Sequence, residues 1–250
     1  MTGLAEWAFL VAAGIVAGIT GTAGGITSLV AYPALLAVGL PPLTANVSSS
    51  VALVGSGFSS ALSSGPELRG HAPTLRRWMP PVIVMSLAGA VLLVVTPGDV
   101  FGRIVPYLVL LGAVALLCQP AIARWQARRG ATLTRATVGA SGAGVALYNG
   151  YFGAGSGILM IALLMLSIEP KLPRANALKN AILISADVLP AVLFIVLGRI
   201  EWQATVALGI GALLGGLVGP RVARRVPAAL MRVLIAACGF GLAGWLLLHP

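Results

Sequence analysis

Long apolar stretches separated by short basic segments account for the whole chain. Residues 5–40 carry one charged side chain, Glu6, and residues 136–168 carry none. At about 35 residues each, these two runs exceed the roughly 20 that a single perpendicular transmembrane helix needs. Each must therefore be interrupted, and each contains a glycine cluster at mid-length: GITGTAGGIT at 18–27 and GYFGAGSGIL at 150–159. Glycine accepts φ > 0 and weakens helix continuation. The pattern predicts helices over 4–20 and 26–39, ended by Pro41 and Pro42, then over 43–63, 78–95 and 101–123. After the second broken run come helices over 173–197, 201–219 and 228–248, with turn signals such as TPGD at 96–99 between them.

Composition fixes the class. The chain of 250 residues is 58% hydrophobic and 9% charged, with mean hydropathy +1.00. That leaves too little polar surface to coat a soluble globule, so the expected fold is an all-α polytopic membrane protein. The formal charge of +10 raises nucleic-acid binding only to be set aside, because the arginines cluster in short loops between apolar runs, as cytoplasmic loops carry them. The start of the chain lacks a basic n-region, and the first apolar run is expected to be retained rather than cleaved. Cys118 and Cys238 fall in predicted spans as small apolar fillers. His71 sits in a basic loop and His249 is penultimate, so no metal site and no cofactor are expected.

The two halves repeat. Gly18, Gly21 and Gly25 fall on Gly150, Gly153 and Gly157 at one constant offset, and LTAN at 43–46 falls on PRAN at 173–176 at an offset two residues shorter. The division expected is 1–130 and 131–250, within one integral membrane domain. Charge sets the topology. If each broken run crosses once, Arg and Lys divide eight against seven. If each enters and returns, Arg69, Arg76, Arg77, Arg124, Arg128, Arg129, Arg135, Lys171, Arg174, Arg221, Arg224, Arg225 and Arg232 lie on one side against Arg103 and Arg199, thirteen to two. The positive-inside bias selects the second arrangement. Each half is then a glycine-broken helical hairpin plus three transmembrane helices, an odd number of net crossings, so the halves are inverted repeats whose breaks meet near the midplane. Both termini lie outside the cytoplasm.

A break in lipid persists only where its backbone groups are satisfied, so it points to a cavity. After each break a helix begins, offering free N–H groups and a partial positive charge. The candidate substrate-binding set is accordingly Gly21, Gly24, Gly25, Thr27 and Ser28 from the first break and Gly153, Gly155, Ser156 and Gly157 from the second. Close helix packing through small residues is the competing reading of these glycines. Lys179 and Asp187 are the only charges placed inside a span. With Asn176 and Asn180 they share one helix face, at steps of 3, 4 and 11 residues and about 100° per residue. Lys179 is a candidate countercharge for an anion, or a side chain snorkelling to the interface; Asp187 is a candidate proton-coupling group, or a structural partner. Asn46, Ser49 and Ser50 form the equivalent neutral face, the asparagines being either oxyanion donors or helix caps. Asn149, between Tyr148 and Tyr151, adds a further donor. An intramembrane enzyme lacks a nucleophile with a base.

GITGTAGGITSLVAYPALL followed by LTAN, GYFGAGSGILM followed by RANALKNA, and IEWQATVALGIGALLGGLVGPRVARRV together resemble the sulfite exporter TauE/SafE family, grouped with toluene-sulfonate uptake permeases. The resemblance runs over essentially the whole chain, although Thr22 and Ala23 interrupt a glycine run that is denser in the family and no proline follows the second one. It implies a multi-pass transporter of the cytoplasmic (inner) membrane whose partners are a small anion, sulfite or an organosulfonate, and protons as coupling ion. A carboxylate permease and a non-transporting scaffold are the alternatives, and oligomeric state is open.

Overall fold

The computed structural model describes residues 3–129, 134–197, 200–223 and 228–248. It contains ten α-helices among them: α1 (Leu4–Gly24), α2 (Ser28–Ala37), α3 (Pro42–Ser63), α4 (Ala72–Val95), α5 (Gly98–Arg129), α6 (Arg135–Tyr151), α7 (Ser156–Ser167), α8 (Leu172–Leu197), α9 (Trp202–Ala223) and α10 (Ala228–Leu248). Five of the described helices, α1, α4, α5, α8 and α9, contain stretches long and apolar enough to cross a membrane. The fold is that of an all-α polytopic membrane protein. Helix α3 has the length, with 22 residues, but its serines lower its hydropathy. The expected loop positions Arg199, Arg224 and Arg225, His249 and the boundary at 130/131 lie outside the described residues.

Both apolar runs are broken where glycines allow, with one shift from expectation. Helix α1 does not stop near residue 20 but continues through Gly21 to Gly24, and the chain turns at Gly25, whose φ is 71°. The N–H of Gly25 closes the helix on the Gly21 carbonyl at 2.9 Å, an αL ending that L-residues with a Cβ resist. In the second run the helix stops at Tyr151, and Gly153 and Gly155, at φ 78° and 81°, carry the chain into α7. Outer helix ends also move. Helix α4 starts six residues before the expected position, with Pro73 in its first turn. Helix α5 runs 32 residues and carries the basic stretch beyond its apolar part. Cys118 and Cys238 are exposed, on helices that also expose many Leu and Val side chains, and are not interior fillers.

Packing reveals the direction of each helix. Gly211 sits against Val11, Gly215 against Ile15 and Gly219 against Ile19, so α1 and α9 run parallel, close enough that a Cβ at Gly14 or Gly18 would meet α9 backbone. Gly209 lies against Ala52 and Gly216 against Ser56 and Ser59, so α3 runs parallel to α9 as well. On the other side Gly142 packs on Trp78, Gly150 on Ser86 and Gly89 on Tyr151, making α6 parallel to α4. Helices α3 and α8 run antiparallel, since Gly57 meets Ile184 and Ser64 meets Asn180. The packing partners exchange between halves: α1 and α3 lie on α9, α6 and α8 lie on α4, and α5 packs on α10.

Candidate functional site

The two breaks meet. A Cβ added to Gly25 would fall 2.9 Å from the Gly157 Cα, and one added to Gly157 would fall 2.8 Å from the Gly25 Cα. Beside this contact lies a cavity of about 110 Å³, bounded by the starts of α2 and α7, the end of α6, the serine face of α3 and the polar face of α8. Thr27, Ser28, Ser156 and Gly157 place two helix N-termini on its wall. Of the first-turn N–H groups there, those of Val30, Ser156 and Ile158 are taken by the carbonyls of Thr27, Gly153 and Gly155, while those of Ser28, Leu29 and Gly157 have no acceptor within their own helices. The break glycines thus bring backbone donors to one small volume.

The C-terminal ends of the broken helices are treated differently. Asn176 donates from Nδ2 to the Thr22 carbonyl at 3.1 Å, and Asn46 donates to the Tyr151 carbonyl at 3.0 Å. Each asparagine belongs to the half that does not own the break it caps. Neither lines the cavity, and neither caps the start of its own helix, where Pro41 occupies the cap position of α3. The cap reading of the asparagines therefore gives way to another contact, in which a short amide reaches a carbonyl released by the interruption. Replacing either by alanine leaves that carbonyl without its donor, at a cost of about 1–3 kcal/mol. Thermal unfolding of purified Asn46→Ala and Asn176→Ala protein should show a lowered midpoint, the two shifts being of similar size.

Lys179 is 4% exposed and points inward rather than to the interface. Its Nζ donates to the Gly21 carbonyl at 3.4 Å, one turn from the Asn176 contact, so it also meets the negative end of α1. An ammonium has three donors, and this is the one bond recorded for it, which leaves capacity on the cavity side. Asp187 lies two turns further along α8, about 12 Å away by helix rise, and the two form no ion pair within 4.0 Å. Asp187 accepts from Asn149 Nδ2 at 2.7 Å, and Asn149 Oδ1 accepts from Ser156 Oγ at 2.6 Å. This relay joins α8 to the end of α6 and the start of α7. The Tyr148 hydroxyl donates to the Ala154 carbonyl at 2.6 Å and steadies the loop before α7.

Of the expected site residues, Gly21, Gly25, Thr27, Ser28, Ser50, Asn149, Gly153, Ser156, Gly157, Lys179, Asn180 and Asp187 line the cavity. Gly24, Ser49 and Gly155 stand off it together with the two asparagines. Gly24 is the last residue of α1, Ser49 bonds back to the Asn46 carbonyl at 2.9 Å, and Gly155 turns the chain against Gly112. Sequence reasoning missed Ser56 and Ser60 on α3 and the apolar wall of Phe152 and Phe194. The serines were findable, since Ser49, Ser56 and Ser60 recur at spacings of one helical face. Phe152 packs edge-on to Tyr32 at 5.3 Å, which gives that wall a rigid backing.

Among known proteins, the chain is 30% identical to the "probable membrane transporter protein ORF9" of Sinorhizobium sp over 97% of its own length and 93% of the relative's. It is 25% identical to a "probable membrane transporter protein" of Haemophilus influenzae, covering 93% and 91% of the two chains. The match to Escherichia coli YfcA, described in the same words, is 25% over 88% and 82%. No solved structure matches. The model of the sulfite exporter TauE/SafE family matches residues 7–246, nearly end to end. With its apolar spans and broken helices, the chain belongs to the sulfite exporter TauE/SafE family and is a multi-pass membrane transporter rather than an enzyme.

Proposed function

We propose that the protein is a secondary carrier that moves a small anion, sulfite or a compact organosulfonate, across the cytoplasmic membrane with protons as the coupling ion. The observation that carries this reading is the convergence of two helix N-termini and the buried Lys179 on one cavity. Each N-terminus contributes about half a positive charge and the ammonium offsets the carboxylate of Asp187, while the opposite half-charges at the ends of α1 and α6 are met by Lys179, Asn176 and Asn46. The volume of about 110 Å³ corresponds to a few water molecules, which favours a small oxyanion over an aryl ligand in this conformation.

The halves, 1–130 and 131–250, are read as inverted repeats. Helices α1 and α3 run in one direction, so the short α2 between them returns toward the side from which α1 started, as a hairpin does. Helices α3 and α8 hold equivalent places in the repeat and run antiparallel, and the exchange of packing partners between halves follows the same two-fold. Alternating access is then a movement of one set of elements against the other around a fixed site. The charge bias favours a cytoplasmic position for the Lys171–Arg174 side and the α3–α4 loop in this reading.

Asp187 takes the proton in this scheme, and its bond to Asn149 passes the protonation state through Ser156 to the start of α7. Proteoliposomes loaded with sulfite should show flux that increases with an imposed pH gradient. The Asp187→Asn protein should retain sulfite binding and lose that response. A pH-gradient response equal to wild type in Asp187→Asn rejects proton coupling through this residue, and absence of sulfite flux in the wild type rejects the substrate.

A further inference from the structure

Away from the central cavity, a second recess of about 290 Å³ opens at the arginine-rich end of α4 and α6. Arg77 and Arg135 stand at its edge, both exposed. Its interior is apolar, formed by Trp78 and Val82 of α4 and Val138 of α6, with Ile168 from the end of α7. Lining residues on α6 extend from Arg135 to Ala143, about 12 Å along the helix. The floor closes where Trp78 lies on Gly142, close enough that a Cβ there would fall 2.9 Å from the indole ring.

The charges at the mouth are unmatched. Among the described residues neither Arg77 nor Arg135 has a carboxylate within ion-pair distance. Glu169, the nearby acid, pairs with Arg174 at 3.8 Å and lies 3.4 Å from His71 Nε2. Two guanidinium groups above an apolar slot complement a phosphodiester carried on a hydrocarbon chain: the planar forks match phosphate oxygens, and the slot takes the glycerol and upper methylenes. A free phosphate would use the arginines and leave the slot empty. Basic recesses between transmembrane helices are the usual seats of anionic lipid headgroups.

We propose that this recess binds one anionic phospholipid, its phosphate between Arg77 and Arg135 and its upper acyl chain against Trp78 and Val138. Because Ser167 and Ile168 form part of the wall, the lipid rests on the end of α7, the helix whose other end carries Ser156 into the central cavity. Lipid composition therefore acts on the second broken element without touching the substrate.

The test is thermal unfolding of the purified full chain in neutral detergent, titrated with phosphatidylglycerol, phosphatidylcholine or inorganic phosphate. Phosphatidylglycerol should raise the unfolding temperature, and the other two should not. In Arg77→Gln/Arg135→Gln protein the half-saturating phosphatidylglycerol concentration should rise by more than about tenfold, given what charged hydrogen bonds contribute. The Arg69→Gln/Arg76→Gln protein, equal in charge, should respond like wild type. A second variant, Gly139→Leu, places a side chain in the recess at a position where an added Cβ meets nothing within 4 Å, and it should block the lipid effect with all arginines present. The proposal is overturned if phosphatidylcholine stabilises equally, if inorganic phosphate reproduces the effect, or if both the double arginine variant and Gly139→Leu respond like wild type.

Discussion

Purified Lys179→Ala protein should bind sulfite about 30-fold to several thousand-fold more weakly than wild type, the range that follows from about 2–5 kcal/mol for truncating one member of a buried charged contact. Among the described residues the ammonium is the only cationic side chain lining the cavity, and at 4% exposure it meets less competition from solvent than a surface lysine does. The fold should survive the change. Asn176 still caps the neighbouring Thr22 carbonyl, and removing the lysine also removes the cost of keeping a charge at 4% exposure. A titration of wild type and variant against sulfite, sulfate, a small sulfonate and a carboxylate reads both affinity and selectivity. Equal affinity for every anion before and after the substitution would sink the countercharge role and return Lys179 to a purely structural partner of α1.

The second large effect concerns the contact between the breaks. A Cβ at Gly157 would come within 2.7 Å of the Gly25 carbonyl oxygen and 2.8 Å of its Cα. Both are backbone atoms, so neither rotates away, and the breaks must separate. Gly157→Ala should therefore abolish transport in proteoliposomes while the protein still purifies as a folded species. Gly25→Ala meets the same obstruction and adds about 1–2 kcal/mol for a left-handed L-residue. Gly39→Ala is the control: its φ is 87° but an added Cβ meets nothing within 4 Å, so it carries the backbone strain without the obstruction and should transport. Wild-type flux in Gly157→Ala would show that the apposed breaks are not required for transport.

The helices were legible because bilayer-length apolar runs leave little choice, and observed ends differ from the sequence expectation mainly where basic turns extend α4 and α5 beyond their apolar parts. The exact turn in the first run was not. Gly21, Gly24 and Gly25 are equally permissive as residues; Gly21 is needed for close approach to Thr27 and only Gly25 for its backbone conformation, and nothing local distinguishes the two demands. The cavity charges were legible for a plain reason: ionised groups in a span are rare, so Lys179 and Asp187 stood out. The roles of Asn46 and Asn176 were hidden because their partners lie 105 and 154 residues away, beyond any helical spacing. The serines of α3 show the intermediate case, visible as a hydroxyl-rich face but silent about which of them meet the cavity.

The distance from Thr22 to Asn176 also has a consequence for synthesis. The carbonyl is made early in translation and its donor 154 residues later, an interval of about 10–30 s at usual elongation rates. During that time the first break has no permanent partner, and lipid offers none. The nascent first half must therefore be kept at the insertion machinery, or with its break facing water, until α8 arrives. Completion of the membrane domain is thus a late event in which the second half closes the first.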